Sequence, residues 1–488
     1  MKSIDTRIKI FLTAWLVYLL FIYVKPESMS AQLLDLAMSI VDTGSVYMRY
    51  ATDFEVSLVD GRYVSGQFPG ASIAVVPLYF VIKPFMGDVA GASRLVVLNV
   101  LSTISLASVA GALVVVVFYS FLRRLDVRER DRLTLTFFLA FGTMVFNYST
   151  SFYKSTLALL YVFAAFFLLF RVRLGERAGR GVFFWTGFLL TAAVATNPAS
   201  CYISAVIFAY GIYVGGIKKV PAFLAGAVIP LGAFMLYRWT VFGSFFTSTY
   251  SHRAGDYPNM MTYPRWQNFI HLFFSLREGF FIYMPVMILS LWGIAEASGK
   301  KRFMPEVTVI VLIFLLTGLV FSGYVRKYDP LMVANPHDQS IVIRYMLSLC
   351  PFMMIPLAFV VSRVNRYVLY FLGGLGVFFS YLGAQAGVIP YAGGWQPVYA
   401  VKVFISGFGM PTLFSDVLPG ISGVETLHTY LARPDVHLKE ILSEGNRQLL
   451  MGLVGRQMVF FVFFVVAAFC LAVIIRGLWK SVPGDQKV

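Results

Sequence analysis

The sequence predicts an all-α polytopic membrane protein, with about twelve transmembrane helices and a first outer loop that carries interfacial helices. Three observations predict it. Of the 488 residues, 58% are hydrophobic and only 13% are charged, where soluble domains carry roughly 25% charged residues. Runs of about 20 apolar residues, the length that spans a bilayer core, recur along the whole chain. The basic residues behind the net charge of +16 gather in short clusters between those runs, the positive-inside pattern of a membrane protein. Such clusters face anionic lipid headgroups, so their charge predicts no nucleic-acid partner. Soluble globular and disordered classes are excluded.

In chain order the apolar runs fall at 8–24, 94–121, 133–149, 155–171, 182–197, 199–215, 221–240, 280–296, 305–322, 345–361, 367–389 and 457–475. The first follows Lys2, Arg7 and Lys9 like a signal peptide, but no small-residue cleavage site succeeds it, so it reads as a retained helix. An even number of spans puts both termini on one side. That side receives RRLDVRERDR (123–132), RVRLGER (171–177), Lys218-Lys219, KKR (300–302), SRVNR (362–366) and the C-terminal tail, and its charge makes it cytoplasmic. The apolar run 71–86 holds Pro77, Lys83 and Pro84. Counted as a full span it would put RRLDVRERDR outside, so it reads as interfacial or half-inserted. The long segments 25–93, 241–279, 323–344 and 390–456 then lie on the outer side. The organisation expected is a transmembrane core over 1–389, an outer loop or small cap over 390–456, and a last helix with a cytoplasmic tail over 457–488.

Charge in this greasy chain collects between Thr52 and Tyr79, TDFEVSLVDGRYVSGQFPGASIAVVPLY. A carboxylate beside an apolar interface has its pKa raised by partial desolvation, which suits a general base. Most first-loop carboxylates read as solvated or capping residues, and Asp35, in the amphipathic stretch SMSAQLLDLAMSIV, as a polar-face residue. Asp53 and Asp60 flank a turn before the Pro-Gly and are the candidate bases. Arg62, Arg94, Lys154, Arg238, Arg253, Arg277, Arg326, Lys327 and Arg344 sit at or near outer helix ends. Guanidinium groups there suit a lipid phosphate, which they pair bidentately, and snorkelling to the interface is the plain alternative for each. Trp266, Trp395, Tyr250, Tyr263 and Tyr391 read as an interfacial belt, with stacking on a sugar ring as the alternative. Cys201, Cys350 and Cys470 fall in apolar segments and read as small hydrophobes. Zinc-ligand spacings, GxxxxGK[ST] and GxSxG are all missing from the sequence. Few charges stand near mid-span, where ion-coupled transporters bury them.

Five stretches in order carry a resemblance. VDGRYVSGQFPGASIAVVPLY (59–79), FGTMVFNYSTSFYKSTLALL (141–160), YRWTVFGSFFTSTY (237–250), FSLREGFFIYMPVMILSLWGI (274–294) and IRYMLSLCPFMMIPLA (343–358) resemble motifs of the GT-C superfamily of membrane glycosyltransferases. This is the clan of protein O-mannosyltransferases and lipid A aminoarabinose transferases. The resemblance implies an inverting transferase that moves a sugar from a polyprenyl-phosphate donor to a lipid or glycan acceptor, on the outer face of a bacterial inner or plasma membrane. It implies an Asp in the first outer loop as base, here Asp53 or Asp60, and basic residues on the donor phosphate, here Arg62, Arg277 and Arg344. Gln67, Tyr63, Lys154 and Tyr345, which stand in the motifs, are the expected substrate contacts. No metal and no cofactor are implied.

The chain departs from the family pattern at three places. Met29-Ser30 stands where the aminoarabinose-type Asp-Glu pair falls, Gln67 and Phe68 where a Lys and a Pro do, and Asn197 where a second Lys does. A flippase or transporter of a lipid-linked substrate, and an oligosaccharide ligase or polymerase, are the alternative readings.

Overall fold

The computed structural model describes residues 4–24, 26–50, 56–87, 89–176, 179–247, 263–276, 279–323, 344–386, 396–431 and 447–479. Among them the chain is helical nearly throughout, with one two-stranded hairpin. The elements that matter below are α1 (Thr6–Leu19), α2 (Ser28–Thr43), strands β1 (Ser57–Val59) and β2 (Arg62–Val64), α3 (Gly70–Ile82), α4 (Lys154–Arg173), α5 (Arg180–Thr196), α6 (Val220–Phe242) and α7 (Met304–Ser322).

Among the described residues every apolar run predicted from the sequence contains helix. Seven helices among the described residues are long and apolar enough to cross a membrane: Ser93–Arg124, Lys154–Arg173, Pro198–Gly215, Ile217–Phe242, Lys301–Ser322, Arg366–Ala386 and Gln448–Trp479. The other five runs are helical but short or broken, and the sequence shows why. α1 ends after 14 residues. The helix entering at Glu129 stops at Phe141 and restarts at Met144, where Thr143 accepts a bond from the Val145 amide at 3.2 Å. α5 stops at 17 residues because Pro198 follows Asn197 and pushes it to an extended backbone. Pro285 and Pro356 interrupt the runs around them. A straight helix needs about 20 residues to span 30 Å of hydrocarbon, and these fall short.

The loops expected on the cytoplasmic side meet one another in space. Arg124 and Arg171 both grip Glu176, at 2.6 and 2.5 Å. Arg173 reaches Glu306 at 3.8 Å and donates to the Arg302 carbonyl at 3.1 Å. Arg366 pairs with Asp131 at 3.4 Å and Arg363 with Glu296 at 2.5 Å. Asp5, its carboxyl lowered to about 2 by bonds from the Arg7 side chain and amide, also feels the charge of Arg123. Five separate basic segments therefore share one end of the bundle.

Inside, the helices pack through aromatic and small residues. Phe121 and Phe170 stack at 4.0 Å between ring centroids, and Phe163 and Phe166 meet Phe352 at 5.4 Å. α5 and α6 approach until their backbones touch. A Cβ on Gly187 would lie 2.0 Å from the Phe223 carbonyl oxygen, and one on Gly226 would lie 1.9 Å from that of Phe184. Without a hydrophobic drive between helices in lipid, such close small-residue contact supplies the association through dispersion.

Two segments outside the predicted spans carry structure of their own. Residues 266–274, expected in an outer loop, form a helix that runs beside the last turns of α7. Asn268 donates to the Ser322 carbonyl at 2.9 Å, and Phe273 meets Phe314 at 4.7 Å. Its apolar residues recur at i, i+3 and i+4, which an outer-loop reading undervalues. Residues 396–431, expected as a loop or small cap, pack on the ends of α1 and of the Arg366–Ala386 helix. The Leu413 amide bonds the Leu20 carbonyl at 3.0 Å, and Tyr381 and Gln385 donate to the Gly409 and Met410 carbonyls.

Two outcomes test this packing. Gly226→Leu drives a side chain into the α5 backbone, and detergent-solubilised protein is expected to lose about 1–3 kcal/mol of stability, read as a fall in thermal midpoint. The carboxyl of Glu176 lies below its usual range because Arg124, then Arg171, hydrogen-bond its charged form. Its contribution is therefore present above the ordinary carboxylate pKa and lost as pH falls through the lowered value. Glu176→Gln should remove that acid-side loss, about 0.5 kcal/mol for a part-exposed pair, from a pH series of thermal midpoints.

Candidate functional site

At the end of the bundle away from the basic loops, the first loop folds onto four helices. The Asp60-Gly61 pair closes the hairpin with both residues at positive φ, 48° and 73°, as a two-residue primed turn requires. Ser57 pairs with Val64, Leu58 with Tyr63 and Val59 with Arg62. Alternation then sends Val59 and Val64 inward and leaves Leu58 and Tyr63 exposed. Arg62 lies over the ring of Tyr47 at 4.8 Å. Asp60, Arg62 and Tyr63 thus share an exposed hairpin tip, with Asp60 occupied by the turn itself.

The residues that follow turn inward. Gln67 is 1% exposed, and its Oε1 accepts a hydrogen bond from the Nζ of Lys154, which is 7% exposed. The Gln67 amide bonds Ser65 Oγ at 3.1 Å, and the Gly66 amide bonds Gln32 Oε1 at 3.0 Å. Gly70 begins α3 against the end of α5, where a Cβ would lie 2.5 Å from Thr196 Oγ1 and 2.7 Å from the Ala195 carbonyl. Next along, Asn197 donates to Ser155 Oγ at 3.2 Å and accepts from the Ala199 amide at 3.3 Å. Lys154 and Ser155 open α4, so one turn of that helix takes both the loop and the α5 corner.

Arg344 opens a helical segment, Arg344–Ser348, that packs against α4 and α7. It is buried, donates to the Tyr345 hydroxyl at 2.9 Å and lies 5.0 Å from that ring's centroid. Tyr345 stacks on Phe321 at 4.4 Å, which in turn meets Tyr202. Lys154 and Gln67 form one buried contact, and Arg344 and Tyr345 form a second on a segment that packs against α4, whereas Asp60, Arg62 and Tyr63 stay at the exposed hairpin tip. Asp53 and Arg277 lie outside the described residues. Among the described residues no group of three or more His, Cys, Asp or Glu side chains could hold a metal ion.

The structure adds residues that sequence reasoning passed over. Asp35 is not a solvated polar-face residue: it is fully buried and accepts from the amides of Arg49 and Tyr50 at 3.0 and 2.7 Å, with Ser39 Oγ 3.5 Å away. It binds the chain that leads to Asp53. Gln32, Asp35 and Ser39 form a stripe at i, i+3 and i+7, a polar helix face turned to protein backbone instead of water. Asp42 serves α3 in the same way, with Lys83 at 2.8 Å and the Tyr79 hydroxyl at 3.2 Å.

The third side of the loop is α6. Phe68 meets Phe234 at 4.9 Å, and Arg238 lies over Phe234 at 5.3 Å and donates to the Thr247 carbonyl. Tyr237, on the same helix, is buried with Leu36, Val59, Val64 and Val241. Its hydroxyl has no hydrogen-bond partner among the described residues. Tyr18, Tyr79, Tyr119, Tyr153, Tyr210 and Tyr283 each give theirs to an acceptor in the protein. Leaving such a hydroxyl unmatched costs about 1–3 kcal/mol.

Asp35→Ala strips the acceptor from two amides and should destabilise the fold by about 2–3 kcal/mol. It should also open the backbone to trypsin after Arg49, which digestion followed by intact-mass measurement will read. Compared with protein-family models and with curated proteins, the chain matches none.

Proposed function

We propose that the protein is an inverting glycosyltransferase. It takes a sugar from a polyprenyl-phosphate donor and passes it to a membrane-associated lipid or glycan acceptor at the outer face of the membrane. The observation that carries the reading is the Lys154–Gln67 contact, which buries a cation beneath the first loop, among helices whose flanks are apolar. An ammonium in such surroundings attracts a phosphate far more strongly than one in water. A lipid phosphate also lies at this depth, near the ends of the helices. The five motif likenesses to GT-C enzymes support the same class.

In this reading the chain crosses the membrane twelve times and holds the basic end in the cytoplasm. Asp53 removes the proton from the acceptor hydroxyl as its oxygen attacks the anomeric carbon. The bond from that carbon to the phosphate oxygen breaks on the opposite face, its electron pair passes to the phosphate, and the configuration inverts. Lys154, Arg344 and Arg277 stabilise the charge that develops on the leaving phosphate, a role in which a preorganised cation counts most. Asp53 is preferred to Asp60 because Asp60 is fixed in an exposed turn.

Transfer assayed in membranes tests the assignment. Asp53→Asn should lower turnover by about 10²–10⁴-fold with little change in donor KM, and unchanged turnover would remove Asp53 from the mechanism. Lys154→Gln should lower kcat/KM for the donor by about 10²-fold. Mass spectrometry of lipid-linked and surface glycans with and without the protein tests the class: identical glycan profiles would sink it.

A further inference from the structure

Tyr237 asks for an explanation that packing does not provide. The chain has 47 phenylalanines, and Phe would fill the same space between Leu36, Val59 and Val64 with no buried hydroxyl to satisfy. The phenol is instead retained with no partner among the described residues, at a place where α6 meets the loop whose next residues are Ser65, Gly66 and Gln67. Phe234, one turn earlier, seats Phe68, and Val64 packs in the same cluster as Tyr237. Tyr237 therefore flanks the segment that holds Lys154.

We propose that the Tyr237 hydroxyl is a specificity contact for the glycosyl group of the lipid-linked donor, hydrogen-bonded to a sugar hydroxyl. The inference rests on the donor reading above. The chemistry fits a sugar better than a phosphate. A phenol is neutral, with one donor and one acceptor function, and matches an alcohol that both gives and takes a bond. In that division of labour Lys154 takes the charge of the donor phosphate and Tyr237 a neutral oxygen of the sugar. A buried polar group reserved for a ligand is unmatched in the free protein and matched in the complex, so it lowers apo stability and raises selectivity.

The opposite signs of those two effects make the test. Wild type and Tyr237→Phe, both full-length in detergent, are compared for thermal midpoint. Their affinity is measured by native mass spectrometry for a bare polyprenyl phosphate and for its mannosyl, glucosyl and arabinosyl forms. The variant is expected to match or exceed the wild-type midpoint and to bind the bare lipid unchanged. It should lose about tenfold in affinity for the glycosylated lipid that wild type prefers, one hydrogen bond's share of discrimination. Equal binding of that lipid by both proteins, with a raised midpoint, would mean the phenol serves only a water, and the proposal falls while the donor reading stands. A wild type that prefers no glycosylated form over the bare lipid overturns the proposal as well. A wild type that binds none of these lipids overturns the donor reading and the proposal together.

Discussion

A lysine ammonium taken out of water must be given a substitute for the water, and the contact between Lys154 and Gln67 is that substitute. Much of the loop end is arranged around it. Gln67 presents its carbonyl oxygen inward because its own amide is held by Ser65 and the preceding amide by Gln32. The segment comes close enough because residue 70 has no side chain to strike Thr196. Ser155, the next residue of α4, is tied to Asn197 at the corner of α5, so the lysine's helix and the loop's support are fixed by neighbouring bonds. Removing any of these would leave the cation without the geometry that makes its burial tolerable.

Much of the fold was legible in the sequence, for reasons that are themselves physical. Apolar runs find helix because lipid forbids unpaired backbone, and each of the twelve runs holds helix among the described residues. Five of the basic clusters meet at one end, in part because Glu176, Asp131, Glu296 and Glu306 are each spaced to receive an arginine from a different segment. Less legible were the lengths. Thr143, Pro198, Pro285 and Pro356 cut helices where hydropathy alone continues, and the helix at 266–274 hides in a stretch that a window of about 20 residues averages away.

The candidate site was half legible. Gln67, Lys154, Arg344 and Tyr345 are marked by motif and by position at helix ends, and the structure joins them in two contacts, Lys154 with Gln67 and Arg344 with Tyr345. Asp60 is acidic and sits before a turn, and Asp-Gly is also the strongest short hairpin signal, a meaning that the hairpin closed at Asp60-Gly61 carries out. Asp35 and Tyr237 were invisible for the opposite reason. Each is a polar residue inside an apolar helical pattern, and only the packing partner reveals whether such a residue faces water, backbone or an empty valence.

The contact of α5 with α6 has a consequence beyond stability. With Gly187 and Gly226 letting the two backbones touch, the pair behaves as one beam, and the first loop rests on both edges of it: Gly70 on Thr196, Phe68 on Phe234. A loop clamped to two independent helices would feel their relative sliding as noise in its position. Clamped to a single beam, it inherits the stiffness of that beam, and the distance between Gln67 and Tyr237 across the loop becomes a property of the scaffold.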